Sequence, residues 1–364
     1  MKEENLEKKA VVKTSPKKDK AKKEKGFVDI LRMFAPGTSI RTALNDLLRA
    51  RMGALIVIDN GELENIVEKG FRVNAKFSPQ KLVELSKMDG AIILSKDLKK
   101  ILSANTLLSP KSGITTKETG IRHKAADRTA KQAQTMVVAV SERRNKITLY
   151  YKDSSYELAA SPEILRRATE TLQILEKQKE MFNDLLDELN LLELKRLVTI
   201  NDVSAVLQRL EIMKRISAII KKYLAELGKE GMVINMGLKE SMKNIDKEEK
   251  MILKDYFTSN SSFASKLLNR MDFDFLLEPM NISRMLFEEL HDKPISPKGL
   301  RILGKTNLLE RHTIGLIKMF KKLDKILLAS DEELLEVLGN EGLVTFFKEE
   351  IYNLRERISV GKRI

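Results

Sequence analysis

The hydrophobic period of this chain changes at Ser161-Pro162, so one polypeptide must build two kinds of structure. Downstream, Leu172, Leu175, Phe182, Leu185, Leu186, Leu189 and Leu192 recur at spacings built from threes and fours over about twenty residues, the stripe of a long amphipathic helix. A second helix is expected over residues 201–227, and further helical segments to about Leu290 make residues 157–290 a helical spine. Such a leucine and phenylalanine stripe is packing core between helices rather than a ligand site. A last block begins at Pro294, with helices expected over residues 314–327, from Ser330 to Gly339, and from about Leu343. Breaks at glycines make residues 291–364 a small all-helical terminal domain.

Upstream, from Phe27 to about Tyr156, short apolar or alternating runs trade places with helical stretches, the pattern of one α/β domain. Strands are expected at residues 53–58, 71–77, 90–94, 136–140 and 146–151, all rich in β-formers and bounded by glycine or polar residues. Thr38 can cap a helix reaching Ala50. Ser78 and Pro79 supply an N-cap and first-turn proline for a helix ending near Met88.

Composition narrows the chemistry. Zero cysteines exclude disulfides, thiolate metal sites and a cysteine nucleophile, and three histidines leave little for a zinc cluster. No apolar run approaches the roughly 20 residues a bilayer helix needs, and no signal-peptide pattern opens the chain, so a soluble, cytoplasmic protein without a membrane partner is expected. Of the net charge of +14, residues 1–26 contribute +5 from ten lysines against five acids. This basic tail lacks aromatic residues and helical spacing and is expected to be disordered, either a solvating extension or an arm seeking phosphates.

Two segments carry chemistry. Asp89 and Gly90 stand where a helix ends and a strand begins, so the carboxylate should project from a tight turn at the sheet edge. Asp-Gly is also a common purely structural turn. The second segment, Gly120-Ile121-Arg122-His123-Lys124-Ala125, starts a helix running through Ala130 and Ala133 with three basic residues in its first turn. That turn carries the positive end of the helix dipole, so the cluster is locally unfavourable by about 0.3–1 kcal/mol per charge, and an anion would relieve it. Free backbone N–H groups, a glycine and the three basic side chains suit a polyphosphate; a solvated basic helix start is the plainer alternative.

Taken together, Asp89-Gly90-Ala91 followed some thirty residues later by Gly120, Arg122, His123 and Lys124 resembles the paired signature of diadenylate cyclase domains. The run Ser103 to Leu108 resembles the family's adenine-side strand, with Leu108 against the base, and Val140 to Arg144 resembles the segment closing the nucleotide pocket through Ser141 and Arg144. The order of cyclase domain, helical spine and terminal helix-hairpin-helix-like domain resembles the DNA integrity scanning branch. The resemblance covers residues 30–360 and implies a mixed central sheet flanked by helices over residues 27–156. It further implies ATP as substrate, Mg2+ or Mn2+ at Asp89, catalysis by Asp89, Arg122 and His123, cyclic di-AMP as product, an octamer, and branched DNA as partner. Gly90, Ala91, Leu108, Gly120, Lys124, Ser141 and Arg144 complete the implied ATP contacts. The alternative reading is a catalytically weak or inactive DNA-binding scaffold that keeps the cyclase fold.

The chain departs from the family at Ile121, Lys124 and Ala125, where threonine, arginine and threonine are usual. Charge survives at Lys124 but the planar guanidinium fork does not, so weaker ATP binding or slower turnover is expected. In the terminal domain Gly339-Asn340-Glu341-Gly342 interrupts the glycine spacing of a phosphate-binding hairpin and adds a negative charge. Lys318, Lys321, Lys322 and Lys325 could still touch DNA phosphates, or form an ordinary exposed polar face.

Overall fold

The structure is a computed structural model describing residues 29–68, 70–257, 261–290 and 292–359. The basic tail expected over residues 1–26 lies outside the described residues. Two compact units divide the chain, one reaching Ala168 and including Lys222–Val233, the other made of Thr169–Lys221 and Ile234 onward.

In unit one a seven-stranded mixed sheet is built from β1 (Ala54–Ile58), β2 (Phe71–Lys76), β3 (Ala91–Leu94), β4 (Lys100–Thr106), β5 (Met136–Ser141), β6 (Lys146–Tyr151) and β7 (Ser154–Leu158), in the order β2-β4-β3-β1-β5-β6-β7. Strands β1 and β3 pair in parallel, Ile56 opposite Ile92, while β1 and β5 pair antiparallel, Ile56 opposite Val138. Five of these strands match the sequence expectation. Of the other two, β4 lies between β2 and β3 and overlaps the strand that the resemblance implied from Ser103, while β7 adds an edge beyond β6.

Every residue of β1 and β3 is buried, as a central sheet covered on both faces requires. Alternation divides them between two cores. Ala54, Ile56, Ile58, Ile92, Leu94, Val138 and Val140 face one side, where α1 (Ser39–Arg49) supplies Ile40, Ala43, Leu44 and Leu47 and α2 (Pro79–Leu85) supplies Leu82. Leu55, Val57, Ala91, Ile93, Val137 and Ala139 face the other, where α3 (Ile121–Ala133) lays Ala126, Ala130 and Ala133 against them. Small alanines let α3 approach the sheet closely, so its first turn is held at the sheet's edge. The expected caps form: Thr38 and Ser78 accept the N–H groups of Arg41 and Lys81, each at 3.3 Å. Helix α2 ends at Leu85 rather than near Met88, and the turn that follows carries Asp89.

Unit two is helical. The stripe after Ser161-Pro162 lies in a helix of 35 residues, Ser161–Lys195, with Leu175, Phe182 and Leu189 buried, and the second long helix is Ile200–Leu227. The single helix expected over residues 314–327 is two, Glu310–Phe320 and Leu323–Leu328. The break has a local cause: Lys321 takes a left-handed φ of 62° and Lys322 is extended, letting Leu316, Phe320, Leu323 and Ile326 all reach one core. Ser330 opens Asp331–Leu338 with a capping box to Glu333, and Glu341–Ser359 closes the terminal bundle.

A buried polar knot ties this unit. Arg301 pairs with Glu193 at 2.6 Å, the two side chains being 1% and 0% exposed, and the Tyr256 hydroxyl donates to the same carboxylate at 2.6 Å. The Asp255 carboxylate accepts the backbone N–H groups of Gly299, Leu300 and Arg301 at 3.1, 2.7 and 2.8 Å. Burial pushes its pKa up to about 6, against the pull of those hydrogen bonds.

Candidate active site

The two chemical segments meet at one end of the sheet. Asp89 projects from the turn between α2 and β3, and Gly90 allows that turn by adopting φ +88°. A side chain at Gly90 would also stand 2.9 Å from the backbone N and O of Thr106, so glycine is required twice over. Arg122 comes from the first turn of α3, and its guanidinium lies flat against the backbone of Gly53 at the mouth of β1. A Cβ on Gly53 would fall 1.9 Å from Arg122 Nη1. A cleft of about 240 Å3 results, lined by Arg51, Gly53, Lys87, Asp89, Gly90, Arg122 and Glu142 among others. Three cations and two carboxylates thus share one small, polar opening.

The remaining residues read from the sequence do not line this cleft. Gly120 is the N-cap of α3, with no side-chain cap and no acidic residue in the first turn, so the helix's leading N–H groups are left without a side-chain acceptor there. His123 meets the sheet through Nδ1, 2.8 Å from the Tyr150 hydroxyl, while its Nε2 is buried without a partner among the described residues. Burial lowers the His123 pKa; Glu118 opposes this, and Arg144 and Arg122 reinforce it. The imidazole is therefore neutral at pH 7.

Arg144 reaches this neighbourhood from the β5–β6 hairpin, where Ser141 Oγ accepts the Arg144 backbone N–H at 3.3 Å. Ala91 is fully buried in β3 and can offer only backbone. Leu108 forms an isolated bridge with Val67 and packs on the core beneath α3, half-buried.

Sequence reasoning missed Gly53, Arg51, Lys87, Glu142 and Tyr150. Glycine at a strand's mouth is a signal of close backbone approach, and Lys87 is two residues from Asp89, so those two were within reach. Nothing in the local pattern around Tyr150 reveals that it meets His123, 27 residues away.

The donor set can be tested for a divalent ion. Among the described residues no three histidine, aspartate or glutamate side chains form a cage. Asp89 and Glu142 nevertheless line the same cleft. Magnesium is commonly held by one or two carboxylates together with substrate phosphates and water, so the site fits an ion that arrives with a nucleotide. No helix among the described residues is long and apolar enough to cross a membrane.

Comparison with known proteins shows the family to which the chain belongs. Residues 41–155 match the family described as DisA bacterial checkpoint controller nucleotide-binding, and residues 158–289 the family described as DisA bacterial checkpoint controller linker region. The chain is 44% identical over 327 residues to a DNA integrity scanning protein DisA of Acetivibrio thermocellus, covering 87% of this chain and 91% of that protein. A protein of the same name from Clostridioides difficile is 40% identical over 349 residues, covering 93% and 98%. A crystal structure of a cysteine double mutant of DacA from Staphylococcus aureus aligns at 24% identity with a TM-score of 0.29, over 38% of this chain and 90% of that one.

Proposed function

This chain belongs to the family of the DNA integrity scanning protein DisA, and on that premise we propose that it condenses two ATP into cyclic di-AMP and two pyrophosphates. The observation that carries the proposal is the convergence of Asp89 and Arg122, from segments some thirty residues apart, on one cleft. Each cyclase domain holds one ATP, and two chains face each other with their nucleotides antiparallel, because one domain cannot close the ring. The 3′-hydroxyl oxygen of each ribose attacks the α-phosphorus of the other nucleotide, forming the phosphodiester bond as the bond to pyrophosphate breaks, and its proton passes to solvent water.

Asp89 would hold the divalent ion and orient the attacking ribose oxygen. Magnesium or manganese, when bound, neutralises charge on the phosphates. Arg122 and Lys124 hold the outer phosphates and stabilise the charge that grows on the leaving pyrophosphate. His123 joins them through Nε2, since a buried polar atom without a partner costs about 1–3 kcal/mol and a phosphate oxygen would remove that cost. Leu108 faces the adenine, and Ser141 and Arg144 close the pocket. Catalysis is positioning plus electrostatics, with no covalent intermediate on the protein. Ile121, Lys124 and Ala125 lower affinity for ATP relative to the family's usual residues.

Residues 291–364 carry the DNA contact, acting in the cytoplasm as part of an octamer. Lys318, Lys321, Lys322 and Lys325 are exposed on either side of the break at Lys321 and supply cations for phosphates. The turn through Gly339 contributes less, because Asn340 Oδ1 already accepts the Gly342 N–H at 2.7 Å.

Substitution of Asp89 by asparagine tests the catalytic assignment: cyclic dinucleotide formation should disappear while ATP still binds. Undiminished product from that variant would remove Asp89 from the mechanism. For the terminal domain, a gel shift with branched DNA over a salt series should show affinity falling as salt rises, whereas an affinity indifferent to salt would contradict phosphate contacts.

A further inference from the structure

Tyr150 is the penultimate residue of β6, paired with Val137 of β5 on one side and Ser155 of β7 on the other. Its side chain lies among the core residues beneath α3, with 1% of its surface exposed. A tyrosine so deeply buried needs a partner for its hydroxyl, and here the hydroxyl meets His123 Nδ1 at 2.8 Å, with Glu118 as a second side-chain neighbour. The two rings meet edge to face, centroids 6.1 Å apart and planes inclined by 64°. On the opposite edge of the imidazole, Cδ2 lies 3.7 Å from where a Cβ on Gly120 would stand, so the ring is also confined by the start of its own helix. One ring nitrogen is therefore held by the sheet, and the other, Nε2, is buried with no partner among the described residues.

Resting on the phosphate role of His123 proposed above, we infer that Tyr150 is a positioning residue for cyclisation: its hydroxyl donates to Nδ1 and thereby fixes His123 as the Nε2–H tautomer aimed at a nucleotide phosphate. Which nitrogen of a neutral imidazole carries the proton is set by the hydrogen bond the other one makes. A carboxylate facing Nδ1 would accept from an Nδ1–H and leave Nε2 a bare lone pair, useless to an anion. A hydroxyl can donate instead. Ionised phosphate oxygens offer no proton, so they can be held by a neutral histidine only through Nε2–H.

The surroundings keep both partners in the required state. Burial, with hydrogen bonding and charge from Glu118 and charge from Asp127, raises the Tyr150 pKa far above its usual value, so its proton is retained. Burial, reinforced by Arg144 and Arg122, lowers that of His123, so the ring stays neutral. Glu118 acts on both residues and is the competing acceptor for the tyrosine proton.

Ring-nitrogen NMR of the full-length chain reads the tautomer directly, and only three histidines, His123, His291 and His312, need to be told apart. His291→Gln and His312→Gln variants assign the His123 signals. In the wild type His123 should appear as one species protonated at Nε2; an Nδ1–H form or an even mixture would overturn the inference without any variant being needed. In Tyr150→Phe the aromatic packing remains but the donor is gone. The His123 signals should then shift toward a mixture, and kcat/KM for cyclic dinucleotide formation should fall about tenfold, with the thermal midpoint within a few degrees of wild type.

His123→Gln separates this inference from the reading beneath it. Loss of activity in His123→Gln alongside wild-type activity and an unchanged tautomer in Tyr150→Phe defeats the tyrosine's role alone. Wild-type activity in His123→Gln defeats the phosphate role of the histidine itself.

Discussion

Gly53→Ala is the sharpest perturbation of the cleft, because it moves Arg122 without touching it. Arg122 Nη1 stands 1.9 Å from the position of the new methyl carbon, and a contact of 3.0 Å is already the limit of what real side chains tolerate. The guanidinium must therefore retreat by at least about 1.1 Å, the difference between those two distances. Gly53 does not adopt a left-handed backbone, so alanine is sterically acceptable to the strand itself, and the obstacle is the tip of a flexible side chain. Stability should change little, with a gain of up to about 1 kcal/mol from the stiffer unfolded chain.

Activity should not survive so well. A misplacement of about 1 Å can cost on the order of a hundredfold in rate, and a lost hydrogen bond to a charged group costs about 1.5–3 kcal/mol, which is roughly ten- to a hundredfold. Following cyclic dinucleotide formation by mass spectrometry over an ATP series, kcat/KM should fall roughly 10- to 100-fold. Combining Gly53→Ala with Arg122→Ala should cost little more than Arg122→Ala alone, since both act through one guanidinium. Wild-type turnover in Gly53→Ala, or losses that simply multiply in the double variant, would refute the reasoning that Arg122 works from its seat on Gly53.

The polar knot of unit two yields two stability predictions. Asp255 has a folded pKa of about 6 against an ordinary 3.8, so the folded state binds its proton more tightly than the unfolded state does. This group's contribution is therefore fully present below about pH 4 and is lost as pH rises toward about 6, up to about 3 kcal/mol at 1.36 kcal/mol per pKa unit. In urea titrations at a series of pH values, the stability of Asp255→Asn relative to wild type should improve between pH 4 and pH 6; a constant difference would show that Asp255 is not the titrating group. Arg301→Met strands the buried Glu193 carboxylate and should destabilise unit two by about 3–5 kcal/mol, whereas adding Glu193→Gln should recover part of the loss. A loss below about 1 kcal/mol for the single variant, read from the thermal midpoint, would mean the pair is not sealed from water.

Legibility in the sequence followed the strength of local chemistry. Residues 54–58 and 91–94 are apolar throughout and read at once as covered strands, while Ser154–Leu158 offers only Tyr156 and Leu158 to the core and pairs as a strand with β6. Lys321 breaks a helix by taking a left-handed turn that lysine does not announce. The basic first turn of α3 was visible because it violates a local preference, whereas Asp89 sits in an ordinary Asp-Gly turn and gained weight only beside that cluster. Their meeting was implied by the family resemblance and not by the local pattern, since it depends on β1 pairing with both β3 and β5 and on a glycine that clears space for a guanidinium from another element. Tyr150 reads as an ordinary core aromatic until the fold brings its hydroxyl to His123.

Purified full-length protein incubated with ATP and either Mg2+ or Mn2+, then analysed by mass spectrometry, addresses the cyclase assignment most directly. A cyclic dinucleotide of two adenylates, accompanied by two pyrophosphates for each ring, is the expected result. ATP recovered intact with both metals, or converted only to ADP or AMP, would contradict it.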